Sequence, residues 1–252
     1  MQRMPFTYTR KTQQGVALFV VIVFVMLSML LALWASRTSL FNEMVVGNDA
    51  DYQRTFEAAQ ALMQDAELDI RGENSDGSVC SGSGDVCRTT TNAKIPLETK
   101  DVGPLLSMLT DQTPTAARTP EMIATMCDHG LCAKRADKQD FWNDSVTLDN
   151  MTKANVGARY GQYTGATAGT GSKPTNPILS ETAPNKGGWY WIEVLPYSDS
   201  TKTSALITGG SSNLLPLNLT PSVVYRITAL AYGRRNSIVV LQQTYAQQKL
   251  KD

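Results

Sequence analysis

Four cysteines and one histidine are the residues of this chain whose types and spacing could do chemistry: Cys80 and Cys87, then Cys127 and Cys132 with His129 between them. Three chemistries are open to such a set. A thiolate beside an imidazole is a nucleophile, four thiolates can hold a structural zinc, and paired thiols close loops. The zinc reading wants Cys-x2–4-Cys spacing, which the first pair misses, and oxidation would destroy the site. The nucleophile reading needs a free thiolate, and His129 would be its only imidazole base. Both pairs follow a membrane-length segment and so lie in a compartment that favours oxidation. There, local bridges Cys80–Cys87 and Cys127–Cys132 are the expected choice among three connectivities, with zinc as the alternative. Each bridge would contribute about 2–2.5 kcal/mol by constraining the unfolded chain. Asn74-x-Asp76-Gly77 matches a calcium loop only in part and reads as a plain turn. No catalytic residue, cofactor site or metal site is assigned, and the expectation is a protein that is not an enzyme.

The element that must position these loops begins at Val16 to Ala35, an uncharged apolar run of about twenty residues, entered through Arg10 and Lys11 and left through Arg37. That length matches the roughly 30 Å hydrocarbon core of a bilayer. Its Leu, Ile, Val and Phe residues sum to about −4 to −8 kcal/mol on the insertion scale. Arg3, Arg10 and Lys11 precede the run with no acidic residue among them. This bias leaves the N-terminus in the cytoplasm and sends the remaining chain across the membrane. A secretory signal would have a shorter apolar core and small residues at its cut, and Leu33-Trp34-Ala35-Ser36-Arg37 is a poor site of that kind.

Beyond Ser36 the apolar residues fall at Phe41, Met44, Val45, Tyr52, Phe56, Ala59, Leu62 or Met63, Ala66 and Ile70, a spacing that puts them on one helix face. No proline interrupts the stretch before Gly72, and Gly47 costs only about 1 kcal/mol against Ala. The expectation is one helix over residues 16–71, roughly 80 Å long. Its first half is apolar all round, and its second half carries a globular head along one stripe.

Gln14-Gly15-Val16-Ala17-Leu18 resembles the prepilin-type leader site, in which a short basic leader ends in Gly and the cut leaves an apolar helix as the new N-terminus. Asn42-Glu43-Met44-Val45-Val46-Gly47-Asn48-Asp49, then Phe56-Glu57-Ala58-Ala59-Gln60-Ala61-Leu62, resemble the post-membrane signature of the PilX-type minor pilins. Val224-Tyr225-Arg226-Ile227-Thr228-Ala229 and Val239-Val240-Leu241-Gln242-Gln243-Thr244-Tyr245 resemble that family's closing strands. The likeness covers both ends well and residues 72–187 loosely. It implies a leader over residues 1–15, cleavage and N-methylation at Gly15 and Val16, and a head over residues 72–252. It also implies a subunit held in the inner membrane with its head in the periplasm and later extracellular in the pilus. Its implied partners are prepilin peptidase, other minor pilins, the major pilin and a large tip adhesin. One departure matters: pilins usually carry Glu at the fifth mature position, which here is Val20. Tip-capping pseudopilins of type II secretion also lack it, so a subunit that primes assembly and stays at the tip is expected. A type II secretion pseudopilin is the alternative, followed by a membrane-anchored periplasmic enzyme or adhesin.

Composition fits a single head beyond the helix. Net charge is +0, so no broad field recruits nucleic acid; Arg234, Arg235, Lys249 and Lys251 read as solvated turn and terminus residues. Residues 72–100 are rich in Gly, Ser, Thr and Asn and read as a long loop. Short helices are expected at Leu105–Leu109 and Glu121–Cys127, the second with Thr119 as N-cap and Pro120 at its first position. Strands are expected at Trp189–Leu195, Ser204–Ile207, Val223–Tyr232 and Ser237–Tyr245, the last two flanking a turn at Gly233-Arg234-Arg235-Asn236. Trp189, Tyr190 and Trp191 should alternate between core and head surface. The fold class is α+β, a long N-terminal helix packed on an antiparallel sheet.

Overall fold

A computed structural model describes residues 14–80, 86–88, 95–96, 99–115, 117–136, 138–169, 176–196 and 223–246. The chain divides into two compact units, Met1–Asp49 and Ala50–Asp252. Helix α1, Gln14–Arg71, runs through both. It stops where Gly72 takes a left-handed φ of 67°. The Gly72 and Glu73 amides then turn back onto the carbonyls of Asp69 and Leu68. This pattern satisfies the last free acceptors of a helix and favours glycine.

In the second unit the elements follow as α2 (Thr99–Thr110), α3 (Pro120–Thr125), β1 (Cys127–Asp128), β2 (Leu131–Ala133), α4 (Ser145–Met151), β3 (Gly187–Pro196), β4 (Val223–Tyr232) and β5 (Ile238–Tyr245). The five strands lie in sequence order in one sheet, antiparallel except for the β2–β3 pair. The arrangement is α+β. The expected helix at Leu105–Leu109 is longer and starts before Pro104. One missing amide near the N-terminal end is offset by burying Val102, Leu105 and Leu109 on one face. Its C-terminal carbonyls are capped by the Arg118 guanidinium, which donates to Met108, Leu109 and Asp111. Thr119 caps α3 with Pro120 following, but the helix ends at Thr125 because Met126 turns left-handed, and Cys127 begins a strand. The strand expected at Ser204–Ile207 and the residues Lys249 and Lys251 lie outside the described residues.

Alternation places β3 and β4 between two apolar layers. Tyr190, Ile192 and Val194 with Tyr225, Ile227 and Ala229 face Ala58, Ala59, Leu62, Ala66 and Ile70 of α1. Trp189, Trp191 and Leu230 face Met122, Phe141, Met151 and Val156 on the other side. The expectation of aromatic residues on the head surface is therefore corrected: Trp189, Tyr190 and Trp191 are all at most 2% exposed. The cause is α4, capped by Asp144, together with the 3₁₀ turn at Phe141–Asn143. Both sit over the second face, and the Trp191 indole donates to the Met151 carbonyl. Within this unit the expected stripe holds from Phe56 to Ile70, where Ala59, Leu62, Met63, Ala66 and Ile70 are buried, and is corrected at Tyr52, which is exposed.

Candidate assembly site

Within the first unit, α1 carries an apolar surface on every side. From Val16 to Val46 its large hydrophobic side chains are exposed, Val16 at 68% and Val20 at 47%. Arg37 and Glu43 are the only charged residues in that span. The segment is long and apolar enough to cross a membrane. Such a surface is unstable in water and demands lipid or neighbouring helices. Gly15 and Val16 lie in the first turn of this helix.

Within the second unit, three buried aspartates of α1 each bind a different part of the head. Asp51 accepts from the Arg234 and Arg235 amides at 3.0 Å and from the Ser237 hydroxyl at 2.7 Å, holding the β4–β5 turn. Burial alone would raise its pKa, but the Ser237 hydroxyl and the two turn amides outweigh it and keep the carboxyl below the usual carboxylate range. Arg234 and Arg235 thus engage through their backbones while their side chains stay exposed. Asp65 accepts from the Gly161 amide at 2.7 Å and from the Thr164 hydroxyl. Desolvation dominates there and raises its pKa to about 6, with Asp69 one helical turn on adding to the effect. Asp69 receives the Arg88 guanidinium at 2.7 Å on both oxygens and the Tyr190 hydroxyl at 2.9 Å. Burial, and then the Asp69 charge, push the Tyr190 phenol well above its ordinary range.

These aspartates are the site residues that the apolar pattern misses. They fall on the buried stripe at the spacing of its apolar members, Asp51–Thr55–Ala58–Leu62–Asp65–Asp69, and that spacing is the signal that could find them.

The cysteines pair as Cys80–Cys87 and Cys127–Cys132, and none is free. The second bridge crosses the β1–β2 hairpin at facing positions. His129 and Gly130 form its two-residue turn, with φ of 51° and 85°, the left-handed pair that matches strand twist. The His129 ring meets Asp128 rather than a thiol. Asn74, Asp76 and Gly77 form a turn in which Asp76 accepts from the Ser78 amide and hydroxyl. Among the described residues no group of His, Cys, Asp and Glu is arranged to hold a metal ion.

The family model for the C-terminal part of type IV pilus assembly protein PilX matches residues 128–247. The model for the PilX N-terminal region matches residues 14–63. Together they cover about two thirds of the chain. No curated protein and no solved structure matches it. The matched regions are the exposed apolar half of α1, the start of its aspartate-bearing stripe, and the sheet with its second apolar layer. A chain so built and so matched belongs to the PilX family and is a PilX-type minor pilin of the type IV pilus.

Proposed function

We propose that this minor pilin primes type IV pilus assembly and stays at or near the pilus tip, beside other minor pilins and the large adhesin they present. The observation that carries the reading is Val20, an apolar residue at the fifth position from Val16 on the exposed stretch of α1. A carboxylate at that position would pair with the N-terminal amine of the subunit added before it; a subunit first into the filament meets no such amine. Leaving the carboxylate out also spares roughly 2.5–3.5 kcal/mol of membrane burial.

In this reading prepilin peptidase cuts between Gly15 and Val16, and the helix waits in the inner membrane with the head in the periplasm. Extraction then places the apolar surface against neighbouring pilin helices, the major pilin among them. The pseudopilin alternative has less behind it, since the family matched by residues 128–247 is described as a type IV pilus assembly protein. Deleting the protein should lower the number of pili far more than their length, and gold label on the head should mark filament ends. Label spread evenly along the shafts would overturn the tip position.

A further inference from the structure

A buried ion pair between Arg88 and Asp69 joins α1 to the chain that follows it. Arg88 stands in a stretch of Gly, Ser, Thr and Asn, yet its side chain and that of Asp69 are only 4% and 1% exposed. The guanidinium also donates to the His129 carbonyl at 2.8 Å and lies 3.6 Å over the Tyr163 ring. One group thus contacts α1, the β1–β2 turn and the loop that carries Tyr163.

The route by which Arg88 reaches this place is covalent. After α1 the chain folds straight back, with Glu73 bridged to Val79 and the Cys80 amide donating to the Gly72 carbonyl at 2.9 Å. Cys80 is thereby fixed close to Asp69, three residues before Gly72. Cys87 is bonded to Cys80, and Arg88 is the next residue. Without that bond Arg88 would be tethered to Asp69 only through a polar chain, and the entropy of closing it would oppose docking.

We infer that the Cys80–Cys87 disulfide is the catch that seats Arg88 on Asp69, so that this buried contact between α1 and the chain that follows it closes only after oxidation, outside the cytoplasm. The step is a thiol–disulfide exchange. The Cys80 and Cys87 thiols are oxidised to one S–S bond, and the disulfide of a protein thiol oxidant in that compartment accepts the electron pair and both protons, becoming a dithiol. In the reduced chain Asp69 keeps only the Tyr190 hydroxyl from this group of contacts, a poor environment for a buried carboxylate.

The coupling is reciprocal: if the bridge favours the ion pair, the ion pair favours the bridge by the same factor. The full chain in detergent is equilibrated with reduced and oxidised glutathione, and each bridge is quantified by thiol alkylation and peptide mass. Arg88→Met should make Cys80–Cys87 about tenfold easier to reduce. Asp69→Asn should move it in the same direction and Arg88→Lys by less, while Cys127–Cys132, tied to its own hairpin, stays unmoved. An unchanged glutathione ratio for Cys80–Cys87 in both Arg88→Met and Asp69→Asn overturns the proposal. Should the variants fail to fold, the wild type decides. Reducing Cys80–Cys87 should speed amide exchange in residues 65–71, and unchanged exchange there refutes the catch. These readouts on the purified chain do not depend on tip position, so the catch and the tip reading fail separately.

Discussion

Asp65 shows how a hydrogen-bonded carboxylate can still oppose folding. Its two donors suit an ionised group, but burial and the nearby Asp69 charge raise its pKa from 3.8 to about 6. A raised carboxylate pKa means the folded state binds the proton more tightly than the unfolded chain. The stability linked to that proton is fully present below about pH 4 and is lost as pH rises through about 6, on the order of 3 kcal/mol. Asp65→Asn cannot ionise, so the difference in unfolding free energy between wild type and variant should change by about that amount across this window. Equal pH profiles measured by urea unfolding would contradict the assignment. At the other end of α1, Gly15 supplies a second test at this scale. Gly15→Val should block leader removal, and intact mass should read a chain beginning at Met1 rather than at Val16.

Among the elements, α1 and β3 meet where a side chain has been left out. A Cβ on Gly188 would run into Leu62 of α1 and the Leu230 carbonyl of β4. Gly188→Ala should therefore push the buried Leu62 side chain out of its place between helix and sheet and cost about 1–3 kcal/mol, read as a lower melting temperature. A second contact between the same layers is polar. Asp51→Ala leaves the Arg234 and Arg235 amides and the Ser237 hydroxyl without their acceptor and should cost about 1–3 kcal/mol, with faster amide exchange in the β4–β5 turn. The long helix is legible in the sequence because it keeps its apolar spacing over many turns, and the last three strands because each is a run of eight residues or more rich in β-branched and aromatic side chains. Strands β1 and β2 are not, because two and three residues are too short to show alternation. What reveals them is the His129-Gly130 turn between two facing cysteines. The aspartates of α1 stay hidden for another reason: a charge on a helix reads as a solvent-facing residue until its partner is known. Those partners lie as far as 186 residues along the chain. Trp189 and Trp191 mislead in the same way, since α4 and the turn at Phe141 cover a face that the strand pattern alone would leave to solvent.

For the whole molecule, the two units of the fold answer to different environments. The second unit buries its apolar side chains within its own layers. The first leaves its apolar side chains exposed and depends on other molecules for stability. As a subunit of the type IV pilus, a protein divided this way leaves its exposed helix to neighbouring molecules, and in the proposed tip reading its position is set by what that helix offers them. Val20 offers no charge. If that is what restricts this subunit to the first position, then restoring the charge should relax the restriction without touching the head. Val20→Glu would cost roughly 2.5–3.5 kcal/mol on insertion into the membrane, a cost the long apolar run can absorb. Its carboxylate would then be available to the amine of the subunit above. The expected outcome is that gold label on the head of the Val20→Glu protein moves from filament ends to positions along the shafts, while the number of pili stays near that of wild type. Val20→Gln, similar in size but uncharged, should keep the label at the ends. Label that stays at the ends with Val20→Glu would show that another feature of the subunit, in its head, sets its place.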